Sequence, residues 1–151
     1  MGNGQEGWKA AAEKQKDIKV ATPEDLVWAD AFLFSSPTRY GQATSQMRAF
    51  IDTLGPVWQT GALANKPVSA MTSAGNAHGG QEATILGLYT SFIHWGSLIA
   101  APGYTDAAVS AAGGNPYGYS HTQGAAFDDK VKAAIGHQAK RLIEIATRLQ
   151  G

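Results

Sequence analysis

The stretch that most constrains the fold is residues 31–41, Ala-Phe-Leu-Phe-Ser-Ser-Pro-Thr-Arg-Tyr-Gly. It begins with large apolar side chains that do not alternate with polar ones, and this predicts a strand, Ala31–Ser35, covered on both faces as in parallel sheets. In such sheets ligands bind beyond the carboxyl ends of the strands. The segment that follows, Ser36–Gly41, is therefore the first candidate for a functional loop, and an ordinary strand-to-helix turn is the alternative.

Helix-start signals show where the regular part of the chain begins. Thr22 suits an N-cap, Pro23 suits the first helical position, and two carboxylates follow in the first turn. Residues 1–20 are polar by comparison and predict an amino-terminal arm, either loose or carrying a short surface helix over 8–16. We therefore expect the domain proper to span residues 21–151.

Strands and helices are predicted to alternate three times. The predicted strands are 31–35, 68–71 and 98–101, and the predicted helices are 23–30, one ending at Gly55-Pro56, 81–95 and one starting at Asp128. The last helix carries a stripe predicted to be buried, Val131, Ile135, Leu142, Ile145 and Leu149. A glycine-rich loop without secondary structure is expected from Pro102 to Phe127. This alternation is typical of α/β proteins with a parallel sheet.

Composition narrows the classes of function. The chain has 151 residues, 44% of them hydrophobic, which suits one domain with its own core. Lys and Arg total 12 and Asp and Glu total 12, so the net charge is zero. The chain lacks the excess of basic residues that would indicate nucleic acid binding. The absence of cysteine fits a reducing cytoplasm. The four histidines lack metal-ligand spacing, so no metal site is predicted.

An uncharged segment separates Glu82 from Asp106 and raises the possibility of a membrane span. Its spacing changes from helical before Gly96 to extended after it. A buried helix followed by a buried strand explains both properties. No transmembrane segment is predicted.

Several separated motifs resemble one known family in order and spacing. They are Ala21-Thr22-Pro23, the segment 36–41 (Ser-Pro-Thr-Arg-Tyr-Gly), Gln46-Met47-Arg48, Trp58, the segment 79–82 (Gly-Gly-Gln-Glu), His94-Trp95-Gly96, Pro102-Gly103-Tyr104 and the segment 113–118 (Gly-Gly-Asn-Pro-Tyr-Gly). Together they resemble the WrbA-type NAD(P)H:quinone oxidoreductases. The resemblance covers residue 21 to the end of the chain.

The resemblance implies a flavodoxin-like fold, an open parallel sheet with helices on both faces. It also implies FMN as cofactor, NADH or NADPH as co-substrate, a quinone as the second substrate, and a homo-oligomer, in this family a tetramer. The implied reaction is a two-electron, ping-pong hydride transfer through the flavin, and no side chain is needed as a nucleophile.

The family begins with a strand, a phosphate-binding loop, a helix and a second strand, which are not found before Ala21. The sequence therefore looks truncated relative to the family. We expect the strand 31–35 to present an open apolar edge carrying Phe32, Leu33 and Phe34. Because the phosphate of FMN normally sits on the absent loop, weak FMN binding is expected.

Site residues implied by the resemblance fall into two loops and two separate positions. Thr38, Arg39 and Tyr40 correspond to the loop that meets the flavin ring. The second flavin loop corresponds to Ser73, Ala74, Gly75, Asn76, Ala77 and His78. His94 matches a cofactor-contact position, and Trp58 corresponds to an aromatic wall of the substrate pocket.

Each assignment has a plainer alternative. Arg39 could serve in a surface ion pair, Tyr40 in loop packing, Trp58 in capping the core, and His94 as a favourable charge at a helix end. The alternative for the whole chain is a truncated flavodoxin-like module that binds FMN or a partner without catalysis.

Overall fold

The structure, a computed structural model, describes residues 3–151. Met1 and Gly2, the first residues of the predicted arm, lie outside the described range. The elements are α1 (Asn3–Lys14), α2 (Pro23–Trp28), β1 (Phe32–Arg39), β2 (Gln42–Ala43), α3 (Ser45–Asp52), α4 (Gly55–Gln59), β3 (Pro67–Ala74), α5 (Gln81–His94), β4 (Leu98–Ile99), α6 (Ala107–Ala111), β5 (Ser120–Thr122) and α7 (Asp129–Gln150).

The five strands form one sheet in the order β2-β1-β3-β4, with β5 also paired to β3. β1 and β3 are parallel, with a register that runs from Phe32 opposite Val68 to Pro37 opposite Ser73. β4 and β5 share the other edge of β3, where β4 pairs at its amino end and β5 at its carboxyl end. Among the strands of residues 3–151, only β2 runs antiparallel to its neighbour. The predicted parallel sheet is confirmed.

Helices cover both faces of β3. On one face, the Phe92 ring of α5 lies 4.7 Å from the Phe34 ring of β1, centroid to centroid, and forms the centre of the core. On the other face, the buried amide of Gln138 in α7 donates to Ser69 Oγ at 2.7 Å and to the Ala70 carbonyl at 2.9 Å. This arrangement confirms the predicted α/β class.

β1 is covered on one face only, which corrects the prediction of a strand buried on both faces. Its residues alternate strictly between buried and exposed. Phe32 and Phe34 pack in the core beneath α5, whereas Leu33 on the other face is 38% exposed. That face opens into an apolar groove of about 750 Å³ that α2 and α3 flank.

One edge of β1 is unpaired for most of its length. β2 pairs with it only at Thr38 and Arg39. Within residues 3–151 no strand lies beside the segment 32–37 on this edge. The expected open edge is therefore present, but of the three apolar residues assigned to it only Leu33 is exposed, because the two phenylalanines point into the core.

Helix termini follow the sequence signals. Asp128 caps α7 by accepting from the Val131 N–H at 3.1 Å, and Thr22 precedes α2, where its own N–H donates to the Asp25 carboxylate at 2.8 Å. Gly96 ends α5 with a φ of +74°. Within residues 3–151 no helix combines the length and apolarity that a membrane crossing requires.

Strand boundaries and two small elements differ from the predictions. β1 continues to Arg39 because it pairs with β3 and β2, and β3 continues to Ala74 because it pairs with β1 and β5. The strand predicted over 98–101 is shorter, Leu98–Ile99, and both of its residues are exposed, which corrects the prediction of a buried strand. The segment 102–127, expected to lack secondary structure, contains α6 and β5. Gly55-Pro56, expected only to end a helix, begins α4.

Two predictions for the helices have different outcomes. α1 occupies part of the predicted arm and its residues 9–14 are all exposed, which fits the surface-helix alternative. The stripe predicted to be buried on α7 is only partly so: Val131 and Leu142 are buried, Leu149 is exposed, and the remaining two residues, Ile135 and Ile145, are half-buried. Ala134, Gln138 and Ala146 complete the buried stripe instead.

Candidate functional site

A polar cleft of about 360 Å³ lies where the carboxyl ends of three strands meet. Its lining residues come from β1, β3 and the end of β5, and they are Pro37, Thr38, Arg39, Ser73, Ala74, Gly75, His121, Gln123 and Gly124. The structure therefore brings together five of the predicted site residues from two separate loops. Crevices at this end of an open parallel sheet are where ligands bind in α/β proteins.

The turn after β1 has an unusual backbone. Arg39 and Gln42 are paired, so Tyr40 and Gly41 form a two-residue hairpin loop, and both have positive φ, +51° and +78°. That combination is typical of a type I′ turn, in which asparagine and glycine are favoured. Tyr40 thus holds a conformation that a bulky residue seldom adopts, and its ring is completely exposed. Thr38 and Arg39, expected in a loop, belong to the strand.

Two glycines allow the loops of the site to touch. A Cβ added to Gly80 would lie 2.8 Å from the Cα of Gly41, so only glycine fits at this contact. Beside it, the Thr38 hydroxyl lies 2.5 Å from that of Thr84 in the first turn of α5. The side chain of Thr38 therefore joins β1 to α5.

Charge at the cleft comes from one cation. Arg39 is the only Lys or Arg among the residues that line it, and its guanidinium donates to the Thr38 carbonyl at 3.0 Å. No group of three or more His, Asp or Glu side chains that could hold a metal ion occurs within residues 3–151. An anionic group bound here would meet Arg39.

The second predicted loop divides into two parts. Ser73, Ala74 and Gly75 line the cleft, whereas Asn76, Ala77 and His78 are exposed beyond it. The Asn76 carboxamide oxygen accepts from the His78 N–H at 3.1 Å, and the Asn76 carbonyl accepts from the Gln81 amide at 2.8 Å. These bonds fold the outer half of the loop onto the start of α5.

Trp58 and His94 lie together but far from the cleft. The Trp58 indole N–H donates to the His94 carbonyl at 3.0 Å. α5 begins beside the cleft and ends at His94, and 14 residues of helix span about 20 Å. Within a single chain, the structure therefore does not bring these two predicted residues to the loops.

The third wall of the cleft was not predicted from the sequence. His121, Gln123 and Gly124 form it, at the end of β5 and just after it. The alternation of Tyr119, Ser120, His121 and Thr122 between two glycines is a short strand pattern and is the signal that could have located it.

This wall is anchored to the sheet by buried contacts. Gly118 sits so close to β3 that a Cβ would lie 2.0 Å from the Ala70 carbonyl oxygen. The Gln138 amide oxygen accepts from the Tyr119 N–H at 2.8 Å, and the Tyr89 hydroxyl donates to the Tyr117 carbonyl. Burial raises the pKa of the Tyr89 hydroxyl, so it remains a donor at neutral pH.

The cleft suits the ring of a flavin better than its phosphate. Gly75 and Gly124 leave room for a flat ring at the wall. A Cβ added at Gly75 would meet only the Gln123 side chain at 3.9 Å, and one added at Gly124 would meet nothing within 4 Å. Ser73, Gln123 and Arg39 supply donors for ring carbonyls and nitrogens. For the phosphate, the lining offers only the Arg39 cation.

A family model and curated relatives match most of the chain. The model of the NADPH-dependent FMN reductases matches residues 6–104. An NAD(P)H dehydrogenase (quinone) of Deinococcus radiodurans is 54% identical over 150 residues, which are 99% of this chain and 75% of that protein. An NAD(P)H dehydrogenase (quinone) of Syntrophobacter fumaroxidans is 38% identical, covering 92% of this chain and 74% of that one.

A solved structure matches the fold. The flavodoxin, WrbA-like protein from Agrobacterium tumefaciens superposes with a TM-score of 0.62 at 21% identity. The match covers 83% of this chain and 71% of that protein. At this identity the likeness supports the flavodoxin-like architecture.

Proposed function

This chain belongs to the NAD(P)H dehydrogenase (quinone) family of FMN-dependent oxidoreductases, and we propose that it reduces quinones with electrons from NADH or NADPH. The observation that carries the proposal is the 54% identity over nearly the whole chain to a protein of that name. The cleft at the carboxyl ends of β1, β3 and β5 supports it, because it offers a flat, donor-rich surface where the sheet ends.

In this proposal the residues of the cleft bind and orient the rings. Thr38, Arg39 and Tyr40 would meet the flavin from β1 and its turn, and Ser73, Ala74 and Gly75 would meet it from β3; of these six residues all but Tyr40 line the cleft. Arg39 attracts the anionic phosphate and the negative charge that develops on a reduced ring. FMN, when bound, supplies the redox chemistry, taking hydride from the nicotinamide and passing it to the quinone in a ping-pong sequence.

The position of Trp58 and His94, far from the cleft of their own chain, supports a role in contacting the cleft of a second copy. The Trp58 ring is 49% exposed and lies at the far end of α5 from the cleft. We propose that in a homo-oligomer, a tetramer in the expected case, this pair faces the cleft of a second copy. Trp58 would then supply the flat wall against which the nicotinamide and the quinone alternate.

The experiment that tests the function is a titration of the purified chain with FMN, followed by flavin fluorescence. NADPH or NADH and then 1,4-benzoquinone are added to the complex, and absorbance at the nicotinamide band reports turnover. We expect saturable quenching and quinone-dependent oxidation of the nicotinamide, with parallel lines in double-reciprocal plots.

A matched pair of variants shows whether the cleft is responsible. Gly75→Leu fills the cleft without a positive-φ penalty, and Gly136→Leu adds the same side chain on α7, where no atom lies within 4 Å of the added Cβ. We expect at least tenfold weaker FMN binding for the first only, equivalent to about 1.4 kcal/mol. Absence of quenching and turnover in the original chain would contradict the proposal. Quenching without turnover would favour an electron carrier or a binding module.

A further inference from the structure

Two side chains at β5 form a hydrogen-bonded pair that the proposed function does not use. Tyr119 and His121 are two residues apart and point to the same side, and the Tyr119 hydroxyl lies 2.8 Å from His121 Nδ1. The Tyr119 ring is buried and packs against Val131 and Ala134 of α7. The buried Tyr119 ring therefore holds its end of the hydrogen bond in place.

The hydrogen bond to Tyr119 involves Nδ1 of His121 and leaves Nε2 as the other ring nitrogen. Burial, and then the negative charge of Asp128, raise the pKa of the Tyr119 hydroxyl, so it stays protonated and able to donate at neutral pH. When the hydroxyl donates to Nδ1 of a neutral imidazole, the ring proton resides on Nε2, which is then a donor.

The backbone around the pair is held on both sides. The Tyr119 N–H donates to the buried Gln138 amide oxygen at 2.8 Å, and the Tyr119 carbonyl accepts from the Thr72 N–H at 3.0 Å. The ring of Phe127 packs edge-on against His121 at 6.0 Å. The position of the imidazole is thus set by the sheet and by α7.

Nε2 is left with no partner among the residues that the structure describes. The His121 ring lines the cleft of about 360 Å³ and also an adjoining cavity of about 260 Å³ that contains Glu82 and Asn115. A nitrogen held in place at the wall of a cleft can exchange water for an acceptor oxygen of a bound ligand.

We propose that His121 is a ligand-binding residue whose Nε2–H donates a hydrogen bond to a carbonyl oxygen of the flat ring bound in the cleft. Tyr119 is the positioning residue that fixes this donor. The identity of the ring rests on the proposed function: flavin and quinone both present carbonyl oxygens on a flat conjugated ring.

The first test is spectroscopic and does not depend on turnover. Long-range ¹H–¹⁵N correlation spectra of the ¹⁵N-labelled chain report the protonation of each imidazole nitrogen. At mildly alkaline pH we expect His121 to show the Nε2–H tautomer, and Tyr119→Phe to give a mixture of tautomers. A Tyr119→Phe spectrum identical to that of the original chain would overturn the positioning role.

The second test adds FMN alone or duroquinone alone, with binding measured by equilibrium dialysis. A change in the Nε2 shift with FMN assigns the acceptor to the flavin, and a change with the quinone alone assigns it to the substrate. Binding that leaves the Nε2 shift unchanged overturns the proposal for His121 only. Absence of any binding overturns both this proposal and the proposed function.

Variants measure the contribution of the hydrogen bond. His121→Leu removes the donor, and we expect about tenfold weaker binding of the ligand concerned. His121→Gln keeps an N–H near the position of Nε2 and should lose less than about threefold. His137→Gln is the control, because that ring bonds to Thr105 at 2.8 Å and lines neither cavity. Unchanged affinity in a folded His121→Leu variant would contradict the proposal.

Discussion

At the scale of single residues, two glycines determine where the walls of the cleft lie, because they have no side chain to keep neighbouring backbone away. Gly80 allows the two loops that follow β1 and β3 to touch, and Gly118 allows the chain before β5 to lie directly on the Ala70 carbonyl. The sequence does not predict either role, because each depends on which distant segment of backbone packs against the glycine. The motif 113–118 was identified by resemblance, but its contact with β3 was not predicted.

Gly118 and Gly136 provide a matched test of this effect. Gly118→Ala places a Cβ 2.0 Å from a carbonyl oxygen, and we expect it to destabilise the fold by about 2 kcal/mol or more. Gly136→Ala lies in the interior of α7 with nothing near the new Cβ, and should stabilise by about 0.5–1 kcal/mol. Urea unfolding followed by circular dichroism measures both. Equal midpoints for Gly118→Ala and the original chain would show that β5 can move away without cost.

At the scale of elements, the sequence predicts several helix ends but not the short helices α4 and α6 or the ends of the strands. The caps at Thr22 and Asp128 and the stop at Gly96 depend on local chemistry, so the sequence predicts them to within a residue or two. β1 extends past Ser35, and β5 forms at all, because each pairs with β3, which is distant from both in the sequence. Such pairing leaves little trace in the sequence of a three-residue strand.

The free edge and uncovered face of β1 carry a prediction about self-association. Leu33 is exposed beside unpaired backbone, an arrangement that favours edge-to-edge contact between sheets. We expect Leu33→Lys to reduce self-association in sedimentation velocity runs at rising protein concentration. The control is Leu86→Lys, which removes a similarly exposed leucine on α5. If both variants lower association equally, general hydrophobicity rather than the edge is responsible.

At the scale of the whole molecule, the predicted site residues separate into two groups at opposite ends of the domain. The loops after β1 and β3 meet as the resemblance implies, which makes half of the candidate site predictable from the sequence. Trp58 and His94 join each other instead. Their role toward the cleft remains a prediction, because a sequence motif does not show whether a residue contributes to the site of its own chain or to that of another copy.

Complementation between two inactive variants tests that role. Gly75→Leu blocks the cleft of its own copy, and Trp58→Ala removes the wall offered to a neighbour. If the site forms between copies, an equal mixture allowed to dissociate and reassociate should recover about a quarter of the original activity by random assortment. Each variant reassociated with itself should stay inactive. A mixture no more active than its components would contradict a site formed between copies, and an active Trp58→Ala variant would contradict a substrate wall at Trp58.

α5 links the two ends, since it starts against Gly41 and stops against Trp58. Each residue added to a helix rotates everything beyond it by about 100° and moves it by about 1.5 Å. An inserted residue anywhere between Gln81 and His94 would turn one contact away from its partner while the other held. The length of α5 is therefore as much a part of the proposed site as the side chains at its two ends.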